Sequence, residues 1–287
     1  MWEKISNHIS ETQGISFQTL KAYPIGGGCI NETYQIKDKN QCYFVKLNNE
    51  NTIDMFTAEA DGLREIAATK TIRVPSPICL GVTNQKAYLV LEHIPFRKSK
   101  SIPQKKLGKN LAKLHAIPQQ KFGWHRNNHI GSNTQLNPHN ENWPEFFRKY
   151  RIEFQINLAK ANGFQIYRTK FIFKKIDDFF SDYKPKPALL HGDLWNGNFA
   201  FDETGTPFVF DPATYYGDRE AEFGLTEMFG GFRSDFWKGY EEVLPLDQGF
   251  SKRKVLYQLY HTLNHLNLFG SSYANSVKQL INKLDNY

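Results

Sequence analysis

Cysteine is scarce in this chain. The 287 residues hold three, Cys29, Cys42 and Cys79, and an odd number without paired spacing indicates neither a zinc site nor a secreted disulfide framework. Such thiols fit a reducing compartment. Long apolar runs are also missing. No window approaches the length that spans a bilayer, and the opening MWEKISNHISETQG lacks the apolar segment of a secretory signal. The expected location is therefore cytoplasmic, with no membrane partner. Lys and Arg outnumber Asp and Glu by 36 to 29, for a formal net charge of +7. These basic residues form no long tail, only short clusters at Arg97-Lys98-Ser99-Lys100, Lys105-Lys106 and Lys252-Arg253-Lys254. With no recognised nucleic-acid motif, no nucleic-acid partner is expected, and the mild positive field suits a polyanionic nucleotide.

One half-motif for a metal is present and is discounted. His261 and His265 share a helical face, but Thr-Leu-Asn stands between them. The glutamate of H-E-x-x-H is missing and no third ligand lies nearby in sequence, so packed histidines are the better reading. There is no internal repeat and no low-complexity tract. What the chain does have is a globular composition, 40% hydrophobic and 15% aromatic with a mean hydropathy of −0.55, and a length that can bury a large core and accommodate two lobes.

The most informative stretch is Leu189 to Pro212, LLHGDLWNGNFAFDETGTPFVFDP. His191-Gly192-Asp193 followed by Asn198 has the spacing of the H-R-D-L-x-x-x-N catalytic loop, with Gly in place of Arg. Phe199–Phe201 and Pro207–Phe210 read as two short strands joined by a turn at Asp202-Glu203-Thr204-Gly205, which would return Asp211 beside Asn198. Phosphoryl transfer needs a group that accepts the proton of the attacking hydroxyl, and oxygen ligands for a magnesium ion. Asp193 suits the first task, and Asn198 and Asp211 the second. Each of these residues alone is as readily a turn or cap; their joint spacing is what points to phosphoryl transfer.

Upstream, Lys21–Ile25 and Glu32–Ile36 read as strands flanking Gly26-Gly27-Gly28-Cys29-Ile30-Asn31. A glycine loop lets backbone N–H groups approach phosphate oxygens, although a plain hairpin turn has the same look, and this one departs from G-x-G-x-x-G. Gln41–Leu47 is the next strand and carries Lys46, which either points to water, as most lysines do, or, placed after a glycine hairpin, matches the lysine that holds nucleotide phosphates. A helix over Asp54–Thr69, with Asp54 able to cap and Phe56, Ala60, Leu63 and Ala67 as its apolar stripe, offers Glu59 as the partner of that lysine. Pro77–Gly81 and Lys86–Glu92 read as antiparallel strands. A helix with Leu107, Leu111 and Leu114 on one face ends at His115, read as packed or capping. Helices are predicted over 143–161, 169–183, 222–240 with a break at Gly230-Gly231, and 251–269.

The segments HGDLWNGN, DPATYYGDRE, TEMFGGF and LYHTLNHLNLFG resemble the fructosamine (ketosamine) kinase family, within the protein-kinase-like group that also holds aminoglycoside and choline kinases. The resemblance covers nearly the whole chain. It implies an α+β, bilobal protein-kinase-like fold, with a small β-rich N-lobe over 1–91, a hinge at 92–95 and a mostly helical C-lobe over 96–287. It further implies that Glu92, His93 and Ile94 contact the nucleotide through their backbone. The expected reaction is magnesium-dependent transfer from ATP to a ketosamine, free or protein-bound, at the 3-hydroxyl of its sugar, which begins repair of glycated amines.

Such an acceptor carries a secondary amine, cationic when protonated. A carboxylate would recognise it and an aromatic face could stack on it or on the sugar. Asp218, Glu220 and Trp195 are the candidates; an internal ion-pair network and a packed tryptophan are the alternatives. Cys29, inside the glycine loop, is a candidate for oxidation or for a bridge to a second chain, so the expected assembly is a monomer or a homodimer that Cys29 could link. A kinase of another small amine or alcohol, or a silent nucleotide-binding module, are the competing functions.

Overall fold

A computed structural model of the chain describes residues 1–26, 30–97 and 102–287. The order of elements is α1 (Trp2–Gln13), β1 (Lys21–Ile25), β2 (Glu32–Lys37), β3 (Cys42–Asn49), α2 (Ile53–Ala68), β4 (Pro77–Thr83), β5 (Lys86–Glu92) and the short β6 (Phe96–Arg97). Then come α3 (Lys105–His115), the hairpin strands β7 (Asn128–Ile130) and β8 (Asn133–Gln135), α4 (Trp143–Phe147), a π-helical turn over Arg148–Glu153, α5 (Phe154–Ala161), α6 (Thr169–Phe179) and β9 (Pro187–Leu190). The chain finishes with β10 (Phe199–Asp202), β11 (Pro207–Val209), β12 (Tyr215–Asp218), α7 (Phe223–Thr226), α8 (Ser234–Glu241), α9 (Phe250–Phe269) and α10 (Ala274–Lys283). Among the described residues no helix is long and apolar enough to cross a membrane.

The chain divides into two compact units. The first comprises Met1–Lys100 with Ala200–Phe210, and the second Ser101–Phe199 with Asp211–Tyr287. In the first, five antiparallel strands pair in the order β1-β2-β3-β5-β4. Side chains of a strand alternate between faces. Tyr43, Val45 and Leu47 of β3 therefore share one face with Tyr88 and Val90 of β5, where Ile5 and Ile9 of α1 complete the core. This gives the N-terminal helix a packing role against the sheet. Lys46 and its cross-strand neighbour Leu89 lie on the opposite face. There α2 presents Phe56, Ala60 and Leu63, all fully buried.

The β10–β11 hairpin is bound into this unit. β10 pairs with β6 through Phe201↔Arg97 and Asp202↔Phe96. The Arg73 guanidinium donates to Asp202 Oδ2 at 2.6 Å and to Glu92 Oε1 at 2.8 Å. Asp202 Oδ1 also accepts from the backbone N–H groups of Thr204 and Thr206, both at 2.9 Å, which builds the tight turn.

The second unit is mostly helical, around α9, whose Val255, Leu256, Leu259, Leu263 and Leu266 are buried. A two-stranded sheet runs through it. β9 pairs antiparallel with β12, Leu190 opposite Tyr215 and Ala188 opposite Gly217. The Tyr215–Asp218 strand is not legible as a strand in sequence, because two tyrosines beside a Gly-Asp-Arg-Glu run look like a charged loop. The helix predicted over 143–161 is interrupted by the π-turn, and the one over 222–240 is reduced to α7 and α8, with Gly230 and Gly231 between them at φ +66 and +92.

Candidate active site

In the first unit, Lys46 is almost fully buried in the middle of β3. A buried ammonium is costly unless paired. Its Nζ donates to Glu59 Oε1 of α2 at 2.6 Å, the two side chains being 4% and 10% exposed. Strand and helix are thus fastened on the sheet face away from α1. Of the glycine-loop residues, Gly27, Gly28 and Cys29 lie outside the described residues. A Cβ at Gly26 would meet nothing within 4 Å, and Asn31 Oδ1 accepts from Asn48 Nδ2 at 2.8 Å. The side chains of the connector are committed to structure. Glu92 binds Arg73 and the N–H of Ser76, His93 Nε2 stands 3.0 Å from Gln35 Nε2, and Ile94 is buried.

In the second unit, β9 delivers the chain into His191-Gly192-Asp193. The departure from the kinase pattern, Gly for Arg, has a steric cause: Gly192 has φ +81, and a Cβ there would collide with the carbonyl oxygen of Ala213. That close approach accompanies a hydrogen bond from Ala213 N–H to His191 O at 2.9 Å, so the segments before Asp193 and after Asp211 are laced together. Asn198 connects the same two segments. Its Nδ2 donates to Asp193 O at 2.8 Å, to Asp193 Oδ2 at 3.2 Å and to Asp211 O at 3.5 Å. Asp211 has φ +59, a left-handed conformation uncommon outside glycine, which Asp tolerates better than most residues. Strain of this kind tends to collect where a side chain must be aimed.

The donor chemistry suits magnesium. With Nδ2 turned to the carbonyls, Asn198 keeps Oδ1 on the other side of its amide, and the carboxylate of Asp211 adds oxygen only. Among the described residues no group of three or more His, Cys, Asp or Glu could hold a metal by itself. A sparse oxygen set fits an ion that takes its remaining ligands from phosphate and water.

Two residues that the sequence reading did not select hold this loop. Glu222 is 2% exposed. Its Oε2 accepts from His191 N–H at 2.7 Å and its Oε1 from Gly192 N–H at 3.0 Å. Burial works against the charge, but the neighbouring His115, His191 and the loop amide outweigh it and hold the carboxyl below its ordinary range. His115 Nε2 stands 3.4 Å from Glu222 Oε2, and its Nδ1 lies 2.9 Å from the Tyr240 hydroxyl. The packed role read for His115 is the one it has. Glu222 sits two residues beyond the GDRE run; its only signal in sequence is that it opens the helix predicted from 222.

The substrate-side assignment of Asp218 and Glu220 is corrected by their surroundings. Both are 0% exposed. Asp218 accepts from the hydroxyls of Tyr257 at 2.6 Å and Tyr183 at 3.1 Å, and burial raises its pKa against these donors. Glu220 is gripped by Arg253 at 2.7 and 3.1 Å, and Arg253 also reaches Asp247 at 2.6 Å. This is the internal ion-pair network, with no carboxylate oxygen left for an acceptor. Trp195 differs: it is half-buried, and its ring meets Phe229 edge-on at 5.5 Å, while Phe229, 39% exposed, meets the imidazole of His265 at 5.3 Å. The Nδ1 of His265 bonds to the carbonyl of His261 at 2.7 Å.

Arg253→Met should cost about 3–5 kcal/mol of stability by leaving the buried Glu220 carboxylate without its cation. Denaturant unfolding checks this, and Glu220→Met added to it should recover most of the loss. A single-variant cost below about 1 kcal/mol would contradict the network. Glu222→Gln turns an amide N–H toward one loop N–H, so kcat should drop by up to about 10²-fold, the scale of a small misplacement of the reacting groups, while nucleotide affinity by calorimetry holds. Wild-type turnover in that variant would dismiss Glu222 as the loop's anchor.

The Fructosamine kinase family model matches residues 1–286. A protein of Synechocystis named as a ketoamine kinase is 43% identical over 281 residues, 98% of this chain and 95% of the relative. The crystal structure of a protein from Haemophilus somnus assigned as a fructosamine-3-kinase superposes with a TM-score of 0.92 at 32% identity, covering 99% of this chain and 97% of the other. In fold alone, choline kinase from Streptococcus pneumoniae is similar, with a TM-score of 0.65 at 15% identity over 99% and 98% of the two chains, which makes the architecture protein-kinase-like and α+β. Matched along essentially its full length, this chain belongs to the fructosamine kinase family and is a phosphotransferase.

Proposed function

We propose that the chain transfers the γ-phosphoryl group of ATP to the 3-hydroxyl of the sugar moiety of a ketosamine, of the fructosamine or ribulosamine type, as a cytoplasmic step in the repair of glycated amines. The observation that carries this reading is the fastening of Asp193, Asn198 and Asp211 through one carboxamide. Asp193 accepts the proton of the attacking hydroxyl; a carboxylate suffices because the proton leaves late in a loose transition state. Asn198 Oδ1 and the Asp211 carboxylate are the groups that would hold magnesium, which neutralises charge on the phosphate oxygens when bound.

On the nucleotide side, Lys46, oriented by Glu59, contacts the phosphates. Gly26, Ile30 and Asn31 stand on the same side of the nucleotide in this reading, and the backbone of Glu92 to Ile94 reads the adenine edge. On the acceptor side, the face of Trp195 receives the sugar or its cationic amine.

Asp193→Ala should lower turnover by about 10²- to 10⁴-fold with ATP affinity retained; a rate near that of the parent enzyme would remove Asp193 from the chemistry. Acceptor class is settled by an ADP-release assay that compares ribose- and glucose-derived ketosamines with choline and an aminoglycoside. Preference for either of the last two would replace the ketosamine reading.

A further inference from the structure

The hairpin β7–β8 is attached to the segment that follows Asp211 by hydrogen bonds that ordinary packing does not require. Gln135, 2% exposed, donates from Nε2 to Ala213 O at 3.0 Å and to Asn128 Oδ1 at 2.9 Å. Asn128, 3% exposed, donates from Nδ2 to Thr214 O at 2.6 Å. The remaining acceptor of Gln135, Oε1, takes a hydrogen bond from the Tyr260 hydroxyl of α9 at 2.8 Å. Gln135 is therefore locked at both ends of its amide.

The hairpin is braced from beneath. Arg151 is fully buried and donates to Leu136 O at 2.6 Å and to Asn137 Oδ1 at 2.7 Å, and Asn137 Nδ2 donates in turn to Asn128 Oδ1 at 2.9 Å. The same guanidinium lies 4.2 Å from the ring centroid of Tyr215, the first residue of β12. One buried cation thus joins the hairpin to the strand on the far side of the two carbonyls.

The carbonyls so held are those of the second and third residues after Asp211. From the other direction, Ala213 N–H binds His191 O at 2.9 Å. Asp211 itself is in the left-handed region at φ +59, a conformation that persists only where neighbouring structure enforces it. A buried amide with fixed partners is well suited to that task, since removing it leaves carbonyl and hydroxyl groups unsatisfied in a dry interior.

We infer that Gln135, seated by Tyr260 and assisted by Asn128, is a positioning residue that sets the backbone after Asp211 and thereby aims the Asp211 carboxylate at the magnesium of the nucleotide. The inference rests on the reading of Asp211 as a magnesium ligand. Gln135 touches neither nucleotide nor acceptor in this assignment. It acts through Ala213.

The test is calorimetric. ADP is titrated into wild type, Gln135→Met, Tyr260→Phe and Asp211→Asn, once with magnesium and once with EDTA, with melting temperature recorded for each. Methionine keeps the bulk of glutamine without its amide. Gln135→Met should cut the gain in ADP affinity that magnesium confers by about 3- to 10-fold, the scale of one lost hydrogen bond, with EDTA affinity unchanged. Tyr260→Phe, which only loosens Gln135, should give a smaller cut in the same direction and decides the matter if Gln135→Met does not fold. Loss of affinity equal in both buffers, or a wild-type magnesium gain in a folded variant, overturns the positioning role while leaving Asp211 intact. If Asp211→Asn keeps the full gain, the ligand assignment fails and the inference fails with it.

Discussion

The site in the second unit depends on the carboxylate of Glu222 accepting the N–H groups of two consecutive residues, His191 and Gly192. Backbone donors at the mouth of a strand must be satisfied once they leave water. A main-chain ladder cannot do this, since β9 ends at Leu190 and the chain turns sharply through Gly192. A buried charged acceptor can serve both donors at once, and charge-assisted hydrogen bonds are the stronger kind. Glu222 thereby fixes the direction in which Asp193 leaves the strand.

Around that anchor the unit repeats one device, a buried polar side chain bridging two chain segments. Asn198 bridges the backbone of Asp193 and that of Asp211. Gln135 bridges Ala213 and the helix α9. Arg253 bridges Glu220 and Asp247. In the first unit, Lys46 with Glu59 and Arg73 with Asp202 and Glu92 do the same for sheet, helix and hairpin. Bifurcated and bidentate contacts of this sort specify angle as well as distance. A loop that holds a carboxylate in a fixed direction needs that precision more than it needs raw stability.

The division between legible and illegible residues follows this pattern. Asp193, Asn198 and Lys46 stand in short local spacings with the order strand, loop, strand, so their neighbourhood is written in consecutive residues. Asp218 and Glu220 read equally well as substrate carboxylates or as an ion-pair network, because the decision rests on Arg253, Tyr257 and Tyr183, which are distant in sequence. Gln135 and Asn128 carry no mark of a site in the sequence for the same reason. Their partners are main-chain carbonyls about eighty residues away, and a carbonyl has no sequence signature.

By itself, then, the amino-acid order determined the strands of the five-stranded sheet, the spacing of the Asp193 loop, the strand lysine and the family, since period, turn residues and motif spacing are properties of neighbours along the chain. Only tertiary structure decided which carboxylates are buried and spent, that Glu222 anchors the loop, and that Gly192 must lack a side chain because Ala213 O approaches it. Burial and hydrogen bonding between remote segments depend on where the chain returns to itself, and that is settled by packing.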